Sequence, residues 1–146
     1  MVDFGRSSQA ELDEPHVALT VEEMYQEIGR LALSSAEDLC GKLIVHSEVE
    51  DGVISSDIFY ENDVGAVRYK FSPNPLMDLI YEFWEIWQST AGNCQWSAMT
   101  YVVESGNFSL ELIYPDQITR ADYHERRPLI ITKHFGEAKV DYSRPQ

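Results

Sequence analysis

From Thr20 onward the chain sorts its apolar and polar positions with a helical period. Val21, Met24, Tyr25, Ile28, Leu31 and Ala32 fall on one face, and Glu22, Glu23, Glu27 and Arg30 lie off it. Thr20-Val21-Glu22-Glu23 has the capping-box form, with Thr20 as N-cap and Glu23 at the third helical position. Leu19 and Met24 stand where a hydrophobic staple needs them. The pattern predicts an amphipathic helix over residues 20–34, followed by a short cap and turn that ends near Gly41. The period then changes. Residues 42–49, 53–61 and 66–71 read as three strands, the last with Val67, Tyr69 and Phe71 alternating against Arg68 and Lys70. Glu50-Asp51-Gly52 predicts a tight hairpin, because Asp-Gly supplies residues that tolerate positive φ. Ser72-Pro73-Asn74-Pro75 stops the sheet and prepares a second helix. Its apolar stripe is Leu76, Leu79, Ile80, Phe83, Trp84 and Trp87; Asp78, Glu82 and Glu85 fall on the other side, and Gly92 ends it. Two further strands, 96–104 and 108–114, are joined through Ser105-Gly106-Asn107.

The expected order is α-β-β-β-α-β-β with a short helical or extended C-terminal tail. The expected class is α+β: an antiparallel sheet with helices packed on one face. Residues 1–18 are polar and unpatterned and read as a mobile acidic tail; 19–137 read as a single domain, and 138–146 as a second tail. A chain of 146 residues suits one domain with one sizeable core.

Charge narrows the function. The net charge is −14, and it is uneven. Residues 1–63 hold 15 acids against Arg6, Arg30 and Lys42, whereas residues 64–146 hold 10 acids and 8 bases. A field of that sign repels nucleic acid and anionic membrane and attracts basic partners. Cys40 and Cys94 are the only cysteines, so a multi-bridge disulfide framework is excluded and two buried free thiols in a reducing cytoplasm are expected. The most apolar run, around Leu76 to Trp87, is broken by three carboxylates, so no membrane span is expected.

Candidate chemistry is sparse. His46 and Glu48 share one face of a strand, as a metal or acid–base pair requires, but no third ligand has suitable spacing. The pair is read as the solvated face of a hairpin. Glu82 and Glu85 are read as a solvated helix face rather than a catalytic pair, because catalysis needs two carboxylates in different environments. Phosphate-loop, dinucleotide-binding and zinc-protease motifs do not occur. No catalytic residue, cofactor or metal is expected, and the protein is not read as an enzyme.

One cluster stands apart. Residues 121–128, ADYHERRP, combine a tyrosine, a histidine, two carboxylates and two arginines. Asp122 and Glu125 can take the guanidinium donors of Arg126 and Arg127 internally. The segment is read as a strut, a short helical turn whose arginines tie the tail to acidic faces of the body. Pro128 is expected to end that turn and send residues 129–131 back to the core.

Three places carry a resemblance over about residues 20–137: Met24-Tyr25-Gln26-Glu27-Ile28, the acidic aromatic helix before Trp96, and Tyr123-x-Glu125-Arg126-Arg127 followed by Lys133-His134-Phe135-Gly136. In these the chain resembles the YezG-like immunity proteins, small bacterial antitoxins that neutralise nuclease toxins. The resemblance implies a stoichiometric inhibitor that covers a toxin's active site, acting as a monomer or weak dimer. Charge density, separately, nominates the partner-binding residues. The first set is Glu48, Glu50, Asp51, Asp57, Glu61 and Asp63 of the first hairpin; the second is Asp78, Glu82 and Glu85 of the second helix. The rival reading is a type III secretion chaperone. Those proteins are also small, acidic and cytoplasmic, have an α-β-β-β-α-β-β-α order, and bind an effector's N-terminal segment as dimers.

Overall fold

In a computed structural model of the chain, residues 19–89, 95–116, 123–137 and 140–141 are described. The expected N-terminal tail, Gly92, Cys94, Asp122 and the remainder of the C-terminal tail lie outside them, as do the side chains of Tyr123 and His124. Cys40, expected to be buried, is an exposed free thiol.

The capping box forms as its residues predict. Thr20 accepts from the Glu23 N–H at 3.0 Å, Glu23 accepts from the Thr20 N–H at 2.9 Å, and helix α1 runs Val21–Ser34. Strand β1 is Leu39–Glu50, β2 is Val53–Asn62, and β3 is Val67–Phe71. Helix α2 is Asn74–Ser89; strand β4 is Ala98–Glu104 and β5 is Asn107–Ile113. Both two-residue hairpin turns place consecutive residues at positive φ: Asp51 at 53° with Gly52 at 78°, and Ser105 at 54° with Gly106 at 77°. That twist matches the right-handed twist of the strands the turns connect. Strand β1 starts three residues earlier than its sequence pattern suggests. An irregularity between Leu39 and Leu43 lets it begin there, and Gly41 leaves room for the Glu61 carboxylate, which accepts the Lys42 N–H at 2.6 Å.

The class is α+β. Two expectations about the chain's end are corrected. First, the Arg-Arg segment is not a single turn ended by proline: Tyr123–Phe135 is a 13-residue helix, α3, with Pro128 inside it. Proline removes one intrahelical hydrogen bond and disfavours the residue before it from continuing a helix. Here contacts on both sides of Pro128 hold the segment helical: Arg126 and Arg127 reach buried carboxylates, and Ile131 is buried in an apolar cluster. Second, Val140–Asp141, expected as tail, forms strand β6 parallel to β3. The sheet is therefore mixed, six-stranded, in the order β5-β4-β1-β2-β3-β6.

The helices divide between the faces. Successive residues of a strand point to opposite sides. Leu43, Val45, Ile58, Tyr60, Met99 and Tyr101 point to the side of α1 and α2, where Met24, Ile28, Ala32, Leu76, Ile80 and Phe83 complete the large core. Gly29 lets α1 come close: a Cβ there would meet the Tyr101 hydroxyl and the Phe108 ring at 2.6 and 2.7 Å. Tyr101 in turn donates to the Tyr25 carbonyl at 2.6 Å. Ile44, Phe59 and Val67 point the other way, to α3, where they meet Ile131 in a much smaller cluster. The expected single helical layer is thus two layers with the sheet between them. Among the described residues no helix is long and apolar enough to cross a membrane.

Candidate functional site

The nine nominated carboxylates separate into three environments. Glu48 and Asp57 point to the α3 side and are only 6% and 3% exposed. This corrects the reading of that hairpin face as solvated. Its cover is invisible in sequence because, His46 apart, the partners come from β4, β3 and α3. His46 joins Glu48 at 2.9 Å through Nε2 and the Thr100 hydroxyl at 2.9 Å through Nδ1. Arg126 grips Glu48 with two nitrogens, its Nε donating to Oε2 at 3.1 Å and its terminal NH2 to Oε1. Tyr69 donates to Asp57 Oδ1 at 2.6 Å, and the Arg127 Nε lies 3.7 Å from Oδ2. The Arg127 guanidinium also lies 5.0 Å from the centre of the Tyr69 ring, in cation–π range.

The two carboxyls titrate in opposite directions. Burial pushes Glu48 up, but the hydrogen bonds from His46 and Arg126 outweigh it and hold the group below its ordinary value. Burial dominates at Asp57, which is raised despite Tyr69 and Arg127. Burial and the bond to Asp57 push the Tyr69 hydroxyl up to about 12. Arg126 and Arg127 reach the carboxylates of Glu48 and Asp57, so the strut joins α3 to β1 and β2. These two acids are spent inside the molecule and are not available to a partner. Among the described residues no three carboxylate, imidazole or thiol groups converge as metal ligands would.

The second environment is a groove. Gly52 and Ile54, at the β1–β2 tip, face Met77, Asp78, Tyr81, Glu82 and Glu85 of α2 across an open depression of about 660 Å³. Glu50 and Asp51 adjoin it at the turn, and all five carboxylates, Glu50, Asp51, Asp78, Glu82 and Glu85, are exposed. The fold thereby brings the tip of the first candidate set beside the second, two stretches far apart in sequence. Among the described residues none of the five has an ion-pair partner. Helix α2 contains no lysine or arginine at all. Asp78 and Glu82 are one turn apart and repel each other, as do Glu82 and Glu85; such pairs cost a helix a few tenths of a kcal/mol each.

The chain matches no known family model and no curated protein.

The third environment is the opposite end of the hairpin. Asp63 is exposed in the β2–β3 turn, and Glu61 is half-buried against the Lys42 amide. Strand β2 has 10 residues, which at a strand rise of about 3.3 Å puts these two about 30 Å from the tip. Glu50 and Asp51 therefore do not share a patch with Glu61 and Asp63.

Sequence reasoning passed over the groove's apolar floor, Ile54, Met77 and Tyr81. A signal was present. Met77 and Tyr81 are spaced one turn apart on the flank of the acidic stripe, outside the main apolar stripe of α2. Their half-buried state follows from that border position.

Proposed function

We propose that this protein works by stoichiometric binding, as an immunity-type inhibitor that covers the basic surface of a nuclease-like toxin domain with the acid-rimmed groove between the β1–β2 tip and α2. The observation that carries the proposal is the set of five exposed carboxylates around an apolar floor, with no ion-pair partner among the described residues. Uncompensated like charge on one helix face disfavours the free protein, and a cationic partner would relieve it. A nuclease is basic where it grips phosphate, so carboxylates on this rim can stand in for the phosphates of its substrate. The rim charges would raise the association rate, and Tyr81, Met77 and Ile54 give the contact a desolvated centre that slows dissociation.

The experiment is capture of partners from a native lysate with the wild-type chain and with Glu82→Lys/Glu85→Lys, at low and high salt. The proposal expects one basic protein domain held one-to-one by the wild type, weakened by salt and lost with the double variant. A partner retained equally by both chains contradicts it.

One observation favours a second reading. With α3 a full helix, the elements run α-β-β-β-α-β-β-α before the last short strand, the outline of a type III secretion chaperone. Sedimentation separates the two: a stable dimer carrying an effector's N-terminal segment favours the chaperone, and a monomer in a one-to-one complex favours the inhibitor.

A further inference from the structure

Helix α3 is held to the sheet differently along its length. Its N-terminal half is anchored by the Arg126–Glu48 and Arg127–Asp57 pairs, all four side chains at most one-fifth exposed. The C-terminal half rests on Ile131, the partly buried Ile130 and Phe135, and on His134. The His134 Nε2 is buried and has no hydrogen-bond partner. Cations crowd this imidazole. From β1, Lys42 donates to the His134 carbonyl at 2.8 Å and sits 6.0 Å from the centre of the Phe135 ring, with His46 further along the same strand. From α3 itself comes Lys133, whose Nζ is 2.6 Å from Glu111 of β5. Among the described residues Glu111 is the acid that favours the imidazolium, and Lys133 already pairs with it. The site thus opposes an imidazolium.

We propose that α3 is an acid-operated latch: protonation of His134 frees the C-terminal turns of the helix from the sheet, while α1 and α2 stay packed on the other face. Release would bare Ile44, Phe59 and Val67, which are at most 1% exposed in the closed form. An apolar strip would then open beside the Glu48 and Asp57 carboxylates.

The direction follows from linkage. Burial first, then Lys133 and Lys42, hold the His134 imidazole below its ordinary value in the closed state. The open state therefore takes up the proton first. Closure is fully stable above the ordinary imidazole pKa of about 6.5 and weakens as pH falls below it. The Arg126–Glu48 half of the anchor persists in this window, because Glu48 is held ionised to lower pH than an ordinary glutamate; Asp57, raised by burial, is the weaker half. Opening in mild acid therefore starts at Phe135 and stops short of Arg126.

Amide hydrogen exchange on the full chain tests this, corrected for intrinsic rates, at about pH 7.5 and about pH 5.5. The expected result is a loss of protection at residues 130–135 that reaches at most about tenfold over the first unit below the imidazole pKa. Residues of β1 and α2 keep their protection, and His134→Gln removes the effect. Unchanged protection in α3, an equal loss in His134→Gln, or a simultaneous loss in β1 and α2 would overturn the latch. If that variant does not fold, NMR titration of the wild-type imidazole decides. A midpoint below the ordinary value, tracked by α3 amide shifts, supports the latch; a midpoint at or above it, or α3 shifts that ignore it, rejects it.

Discussion

The two faces of the sheet are built on different physics. On the side of α1 and α2, eighteen buried apolar residues form one cluster, and its stability scales with apolar area removed from water. On the side of α3, four buried apolar residues among those described sit beside two carboxylates and the two guanidinium groups paired with them. The first face tolerates changes of pH and salt; the second depends on who is protonated. Buried ion pairs contribute little net stability, but removing one member leaves an uncompensated charge and is expensive. One face therefore makes the fold, and the other positions a helix in a way that solution conditions can change.

The largest expected effect comes from cutting into the first face. Phe83→Ala should cost about 3–5 kcal/mol, whereas Ile131→Ala on the second face should stay near 2 kcal/mol, because the smaller site collapses more readily. Equal losses in denaturant unfolding would erase the contrast between the faces. Next in size is the buried pair. Glu48→Ala should cost about 3 kcal/mol, and Glu48→Ala/Arg126→Ala should cost clearly less than the two single changes added together. Additive losses in the same cycle would mean that the two groups do not act as a unit.

A pH series sharpens the comparison at a smaller scale. Because the folded pKa of Glu48 is lowered, its contribution is present above the ordinary glutamate value and disappears as pH falls through the folded one. Asp57 is raised, so its burial penalty is relieved as pH falls, which partly offsets that loss. Unfolding curves should show an acid limb that Glu48→Gln lacks; an identical limb in wild type and variant would assign it to other groups. The smallest effect belongs to the groove. Glu82→Gln removes two like-charge contacts on α2 and should leave stability unchanged or raise it by about 0.3 kcal/mol. A loss larger than that, by thermal or denaturant unfolding, would show Glu82 to be structural.

Local signals explain what was legible beforehand. The Thr20–Glu23 box, the Asp51-Gly52 turn and the stripe of α2 each lie within a few residues, and each appears in the structure where its pattern places it. The failures are non-local. Pro128 reads as a helix stop unless the anchors at Glu48 and Asp57, more than sixty residues away, are known. Those same acids read as solvent-facing because alternation along a strand cannot reveal that a second face is covered. Trp96 illustrates the boundary between the cases. Its strand was legible, yet β4 starts two residues later, because the Trp96 carbonyl instead accepts the Trp84 indole N–H at 2.8 Å. The groove combines both kinds of information. Its acids were visible in sequence, and their meeting across Ile54 and Tyr81 was not.

The decisive measurement is partner capture with charge reversals at the groove and at the far β2–β3 turn. One chain carries Glu82→Lys/Glu85→Lys at the groove; the other carries Asp63→Lys at the far turn. The first should lose its basic partner and the second should keep it. Loss with Asp63→Lys alone, or retention by both, would contradict the assignment of the binding surface to the groove.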